Sequence, residues 1–354
     1  RHHGLKYNAM VKVVDTLEDL GFIEGVLGFF DHNGSSRQAR MRASNKLRLY
    51  LIGHEIKIQM YKQRPKAIIL RGKKRWVKRK DQKPFRLPGI EKNFPMTSTA
   101  QRMRANVNRV NAHLEQHDTT FDAPAEVLQQ MKDDNVAPPN MLNCYYRRIF
   151  NEDTSLRYGG RWYGHWIQSV PREPRHYIRI DGEPTCERDF SAFHPTLLYA
   201  RKGLMPPLGD MYTIEDIPFD VGREEARQAC KTILLIIFNI RPSQDPVKTI
   251  QKELITEQEI HLEPQAISCL INALKMKHAH ISEYFASGVG RELQRMDSQI
   301  AEKVMVQMAN EGIACHCLHD SFIVQVQHEQ RLVQVMQDAC EAVSGCCPAI
   351  DKKF

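Results

Sequence analysis

Two aspartates stand among residues that would otherwise be buried. Asp189 lies in "RDFSAFHPTLLYA" (188–200) and Asp320 in "CLHDSFIVQV" (317–326). A carboxylate in apolar surroundings is costly unless something pairs with it. Asp189 reads as the end of a strand, followed by a tight polar connection and a helix from about Pro195, where proline suits the first turn. Asp320 reads as the tip of a hairpin, in "IACHCLHDSFIVQV". Each has a plain structural use, as a helix cap or an Asx turn. If the two strands are neighbours, however, the carboxylates converge and need cations between them. Magnesium, held by one or two carboxylates plus substrate phosphates, meets that need.

A third segment carries the opposite charge. "GREEARQACKTILLIIFNI" (222–240) is helical in pattern, with Arg223, Arg227 and Lys231 at intervals of four. They form a stripe on one face, opposite much of "TILLIIF". Such a stripe can grip a triphosphate and neutralise a leaving pyrophosphate. It can equally be a surface face paired with Glu224 and Glu225.

These residues need elements to hold them. "RELQRMDSQIAEKVMVQMANEG" (291–312) places Leu293, Met296, Ile300, Val304 and Met308 on one face, a helix with a buried side that ends at Gly312. Near the start of the chain, residues 8–20 have helical spacing and Gly21 stops them. An extended run, a turn at Asn33-Gly34, a basic arm with Arg37, Arg40 and Arg42, and a short helix from near Ser44 follow. That outline is winged-helix-like and suits contact with DNA, RNA or protein. The run "RGKKRWVKRKDQK" (71–83) contributes Lys73, Lys74, Arg75, Lys78, Arg79 and Lys80, a basic loop for nucleic acid or a solvated face. Residues 97–118 start with hydroxyl caps and continue as an amphipathic helix. The expected division is a winged-helix-like domain (1–60), a basic loop and connecting helix (61–120), and the chemical core (121–354).

The bulk composition suits this reading. The chain has 354 residues, 42% hydrophobic and 26% charged, with a formal net charge of +8. No apolar run is long enough to span a bilayer, so no membrane partner is expected. The opening residues do not read as a secretory signal. Nine cysteines are scattered without paired CxxC knuckles, which points to reduced thiols and a cytoplasmic location. In "CHC" (315–317) alternate side chains face opposite sides of a strand, so a shared metal is not expected there.

The order of an aspartate-bearing strand-to-helix segment, an Arg-x3-Lys helix and a His-Asp hairpin resembles motifs A, B and C of the family A DNA polymerases and of the related single-subunit phage and mitochondrial RNA polymerases. "GGRWYGHWIQSVPREPRHYIRI" (159–180) is similar to the family's Gly-Arg, Gln-x-x-Pro and Arg-rich run, matched by Arg161 and Gln168. The resemblance covers roughly residues 157–345. It implies an α+β palm, an antiparallel sheet with helices, with reduced fingers and thumb. Asp189 and Asp320 would bind two magnesium ions, for which manganese can substitute, and the Phe190 carbonyl would join them. Lys231, with catalytic importance, and Arg223, Arg227, His194, Phe238 and Asn239 would meet the incoming nucleotide. Arg161, Gln168 and His319 would contact primer–template.

The departures matter too. The family's Tyr-Gly, eight residues after the lysine, is replaced by Asn239, preceded by Phe238. Five residues after the first aspartate, DNA polymerases carry a glutamate that blocks a ribose 2′-hydroxyl; here it is His194. "HDSF" carries serine where DNA polymerases have glutamate, as in the RNA polymerase branch. The resulting expectation is a template-directed nucleotidyltransferase on a DNA or RNA template-primer with nucleoside triphosphates, making short RNA or mixed primers for a phage or mobile element. A helicase or small accessory protein is an open partner. Alternatives are a DNA-synthesising family A polymerase, an untemplated nucleotidyltransferase, and a replication initiator with a degenerate polymerase fold.

Overall fold

The structure, a computed structural model, describes residues 7–26, 29–30, 36–37, 40–53, 65–73, 75–77, 85–87, 89–215, 217 and 222–354. The chain folds as two units: residues 1–63 with 76–86, and residues 64–75 with 87–354.

In the first unit the helix Tyr7–Asp19 stops at Gly21, whose φ of +68° is open to glycine at little cost. Strand Ile23–Val26 pairs antiparallel with Arg40–Ala43, and Phe29–Phe30 pairs with Ser36–Arg37 in the same hairpin. Ser44 Oγ accepts the Leu47 N–H at 3.3 Å and donates to the Gly21 carbonyl at 2.7 Å, which starts the helix Asn45–Gly53. The order is therefore helix, hairpin, helix, with Arg37, Arg40 and Arg42 in the second arm. The expected Asn33-Gly34 turn lies outside the described residues, as do Lys74, Lys78, Arg79 and Lys80 of the basic run. Lys73 is exposed, and Arg75 begins a short strand, Arg75–Val77, paired with Phe85–Leu87.

The second unit is α+β. A four-stranded sheet runs in the order Gly159–Tyr163, Arg147–Asn151, Ile68–Arg71, Glu91–Lys92, with one parallel pair at its centre. A six-stranded antiparallel sheet has Glu183–Phe190 as its central strand. Helices Arg223–Ile237, Pro246–Gln258 and Pro264–Lys277 pack on one another. The long helix Gly290–Asn310 lies against the Gly159–Tyr163 strand and two further helices, Ser98–Leu114 and Glu329–Ser344.

Residues 87–120, expected to belong to a separate connecting module, are part of this second unit. The reason is burial. Thr97 caps the helix Ser98–Leu114, whose stripe of Met103, Val107, Val110 and Leu114 is buried, and Asn106 donates to Glu302 on the long helix at 2.9 Å. An amphipathic stripe of that kind needs a second face to cover it. Among the described residues, no helix is long and apolar enough to cross a membrane.

Candidate active site

The central strand sets the site. Along one edge Glu183–Phe190 pairs with Ser321–Gln325, so Asp189 stands opposite Ser321. Its other edge is shared by Ile178–Ile180 and, at the Asp189 end, by Ile350–Lys352, where Asp189 stands opposite Asp351. His319 and Asp320 form the two-residue connection between strands His316–Leu318 and Ser321–Gln325, with His319 at a φ of +67°. The Phe190 N–H donates to the Asp320 carbonyl at 3.3 Å. The two aspartates therefore sit at the same end of adjacent strands. Just beyond, Ala192 takes a φ of +48° and the chain turns into the helix Phe193–Arg201.

Asp189 and Asp320 line a cleft of about 530 Å³ with Arg227 and Lys231 of the basic helix. Arg161, His194, Phe190 and Asn239 line it as well. Arg223, at the first position of that helix, is exposed and outside the cleft wall. Phe238 is fully buried in the core instead, edge-on to Phe285. Gln168 lies elsewhere too: its amide nitrogen donates to the Trp162 and Cys317 carbonyls, both at 3.0 Å, and its oxygen accepts from Gly164. It ties the Gly159–Tyr163 strand to the aspartate hairpin. His319 packs edge-on to Tyr163, and its buried Nδ1 has no hydrogen-bond partner among the described residues.

The electrostatics are those of carboxylates short of cations. Burial, then the charges of Asp297 and Asp189, push Asp320 up to about 7, with Arg161 opposing. Burial also raises Asp189, against the pull of Lys353, whose ammonium lies 2.9 Å from its Oδ2. Arg227 is paired with Asp210, whereas Lys231 has no ion-pair partner among the described residues. Burial and then Arg161 hold His194 down to about 3, so its ring is neutral.

Behind this wall runs a buried ionic layer. Arg161 donates Nε and a terminal N–H to Asp297 Oδ2, at 2.6 and 2.5 Å, and Asp297 is 1% exposed. Arg148, with no exposed surface, donates to the Gly160 carbonyl, Glu302 and Ser298. Gly160, at a φ of +88°, lets the strand lie this close, since a Cβ would come within 2.5 Å of the Phe150 ring. Both arginines thus pin the Gly159–Tyr163 strand to the long helix.

Cleft residues that the motif pattern did not single out are Arg172, Tyr212, Gln294, Asp351 and Lys353. Asp297 behind them had a signal: it lies four residues after Leu293 and three before Ile300, on the apolar face of its helix. A carboxylate in that stripe must have a partner. Asp351 and Lys353 had none, because a three-residue strand acquires its place only by pairing.

Among the described residues no group of three or more His, Cys, Asp or Glu side chains is placed to hold one metal ion. The donors on hand are two carboxylates and main-chain carbonyls, all hard oxygens. Magnesium takes such a partial set, completing it with water and substrate phosphates. The upward push on Asp320 shows excess negative charge that a divalent ion would relieve.

No family model matches this chain, and no curated protein matches it. Among solved structures it is similar to the POL domain of Pol1 from M. smegmatis, in complex with DNA primer-template and dNTP. The identity is 10% and the TM-score 0.37, over 72% of this chain. The chain spans about half of that structure, 52%. A likeness at this level carries no weight for fold or function, which rest on the cleft itself.

Proposed function

We propose that the chain is a metal-dependent nucleic-acid polymerase that makes short products. The observation that carries this reading is the meeting of Asp189 and Asp320, on adjacent strands, with Arg227 and Lys231 in one cleft. Paired carboxylates facing unpaired cations suit a substrate that brings both a divalent ion and a polyphosphate.

Asp189, Asp320 and the Phe190 carbonyl would hold the metal. What magnesium supplies when bound is positive charge at the attacking 3′-hydroxyl and at the leaving pyrophosphate. Lys231 and Arg227 take the triphosphate by charge and hydrogen bonds, and so hold the nucleotide for in-line displacement. The buried Arg161–Asp297 and Arg148–Glu302 pairs keep the cleft wall rigid while substrates exchange. His194 is neutral and lacks the negative charge that would repel a 2′-hydroxyl or its bound water, which favours ribonucleotide use and hence priming. The helix–hairpin–helix unit and the basic run are assigned to template contact, with the arginines of the hairpin's second arm as phosphate contacts.

The test is incubation with single-stranded template, magnesium and either ribo- or deoxyribonucleotides, with and without primer, and sizing of the products. Short template-dependent products that need no primer are expected with ribonucleotides. Strict use of deoxyribonucleotides would contradict the priming part, and products independent of template sequence would contradict template direction.

A further inference from the structure

Arg161 does more than pin a strand. One terminal N–H faces His194 Nε2 at 3.4 Å, while the Nε and a terminal N–H are held by Asp297 Oδ2. A guanidinium has five donors and no acceptor. Nε2 of His194 must therefore offer its lone pair, and in a neutral ring the proton must lie on Nδ1. That nitrogen is buried and has no hydrogen-bond partner among the described residues. A buried donor left without an acceptor costs about 1–3 kcal/mol, and such a group calls for an explanation.

We infer that Asp297 and Arg161 form a relay that holds His194 as an Nδ1–H donor, and that this donor is reserved for a sugar oxygen of the bound nucleotide. The chemistry of the ring selects the acceptor. A neutral N–H is a poor grip for phosphate, and the cleft already has Arg227 and Lys231 for that task. It suits an uncharged oxygen close to the reacting centre. His194 stands in the first turn of the helix that follows Asp189 and Phe190, so its ring is one turn from the carboxylates. Between a triphosphate and a base, the uncharged acceptors there are those of the sugar, and a 2′-hydroxyl is the one that separates ribose from deoxyribose. Asp297 and Arg161 are positioning residues in this arrangement, acting through His194.

The sugar assignment rests on the polymerase reading, whereas the relay does not, and the experiment separates them. Nitrogen-15 spectra of histidine-labelled protein report which ring nitrogen carries the proton. The wild-type chain is expected to show His194 neutral, with Nδ1 protonated. Arg161→Met and Asp297→Asn should move the proton to Nε2, with the other histidine signals serving as the check on folding. If one variant fails to fold, the other carries the comparison, and the wild-type spectrum alone decides the tautomer. A wild-type His194 protonated on Nε2, or on both nitrogens near neutral pH, overturns the relay. The second arm compares kcat/KM for ribo- and deoxyribonucleotides in the wild type and in His194→Leu. A fall of about tenfold or more in the ribose preference is expected, and an unchanged ratio overturns the sugar assignment. No incorporation of either sugar by the wild type removes the polymerase reading and the sugar assignment together, leaving the tautomer to decide the relay.

Discussion

The ammonium of Lys353 stands 2.9 Å from Oδ2 of Asp189, one of the two carboxylates at the heart of the cleft. Its place is set by the sheet: the Lys353 N–H donates to the Glu187 carbonyl at 3.0 Å, continuing the Ile350–Lys352 pairing along the central strand. Lys353 is thus a built-in counter-ion at the position where a divalent ion would bind. Removing its charge by Lys353→Met should tighten manganese binding to the nucleotide-free protein roughly tenfold, about 1.4 kcal/mol. Titration of the metal, followed by the loss of the free-ion resonance signal, measures this. Weaker binding in the variant would mean that Lys353 helps to organise the site.

Asp320 links the cleft to pH. Its folded-state value is raised to about 7 from an ordinary 3.8, so between these limits the folded chain binds more protons than the unfolded one. Its contribution to stability is full below about pH 4 and is lost as pH rises through about 7. In metal-free buffer, then, the wild type should lose stability from pH 5 to pH 8 relative to Asp320→Asn. Denaturant midpoints of the two proteins across that range test it, and parallel pH profiles would contradict the charge crowding described for the cleft.

Lys231 and Arg223 share one helix face but not one environment. Lys231 lines the cleft, whereas Arg223 does not. Lys231→Ala should raise the KM for nucleotide by about 10–100-fold, the scale of one lost charged contact of 1.5–3 kcal/mol. Arg223→Ala should change it less than about twofold. Steady-state kinetics with a saturating template distinguishes them, and equal effects would place both on the triphosphate.

Arg148 is a test of the scaffold. It is fully buried, and its guanidinium satisfies Glu302, Ser298 and a main-chain carbonyl at once. Arg148→Met should cost about 3–5 kcal/mol, because it leaves a carboxylate unpaired behind the site. Chemical denaturation gives the value directly. A cost under about 1 kcal/mol would show that the layer behind the wall is easily rewired.

The parts of the site that were readable in the sequence are those defined by local pattern. Asp189 and Asp320 each end an apolar run, and the four-residue spacing put Arg227 and Lys231 on one face. The parts that were not readable depend on distant pairing. Arg223 continues the same stripe, yet the helix extends beyond the cleft, and periodicity carries no information about where a neighbour stops. Phe238 was aligned with a nucleotide-facing aromatic, but the core around Phe285 claims its ring. Gln168 has the right neighbours in sequence and is used up on main-chain groups. The helix Ser98–Leu114 has a clear apolar stripe, but the long helix that covers it is far along the chain, so the boundary near residue 120 had no local counter-signal.

The central claim is that Asp189 and Asp320 act as one unit in nucleotide transfer. The most direct measurement is nucleotide incorporation on a template, with magnesium, by the wild type, Asp189→Asn and Asp320→Asn, each checked for folding and for retained template binding. The account predicts incorporation by the wild type and a loss of at least about a hundredfold in each variant, with template binding kept. Incorporation at wild-type rates in both variants, or none by the wild type under any of the nucleotide conditions, would contradict it.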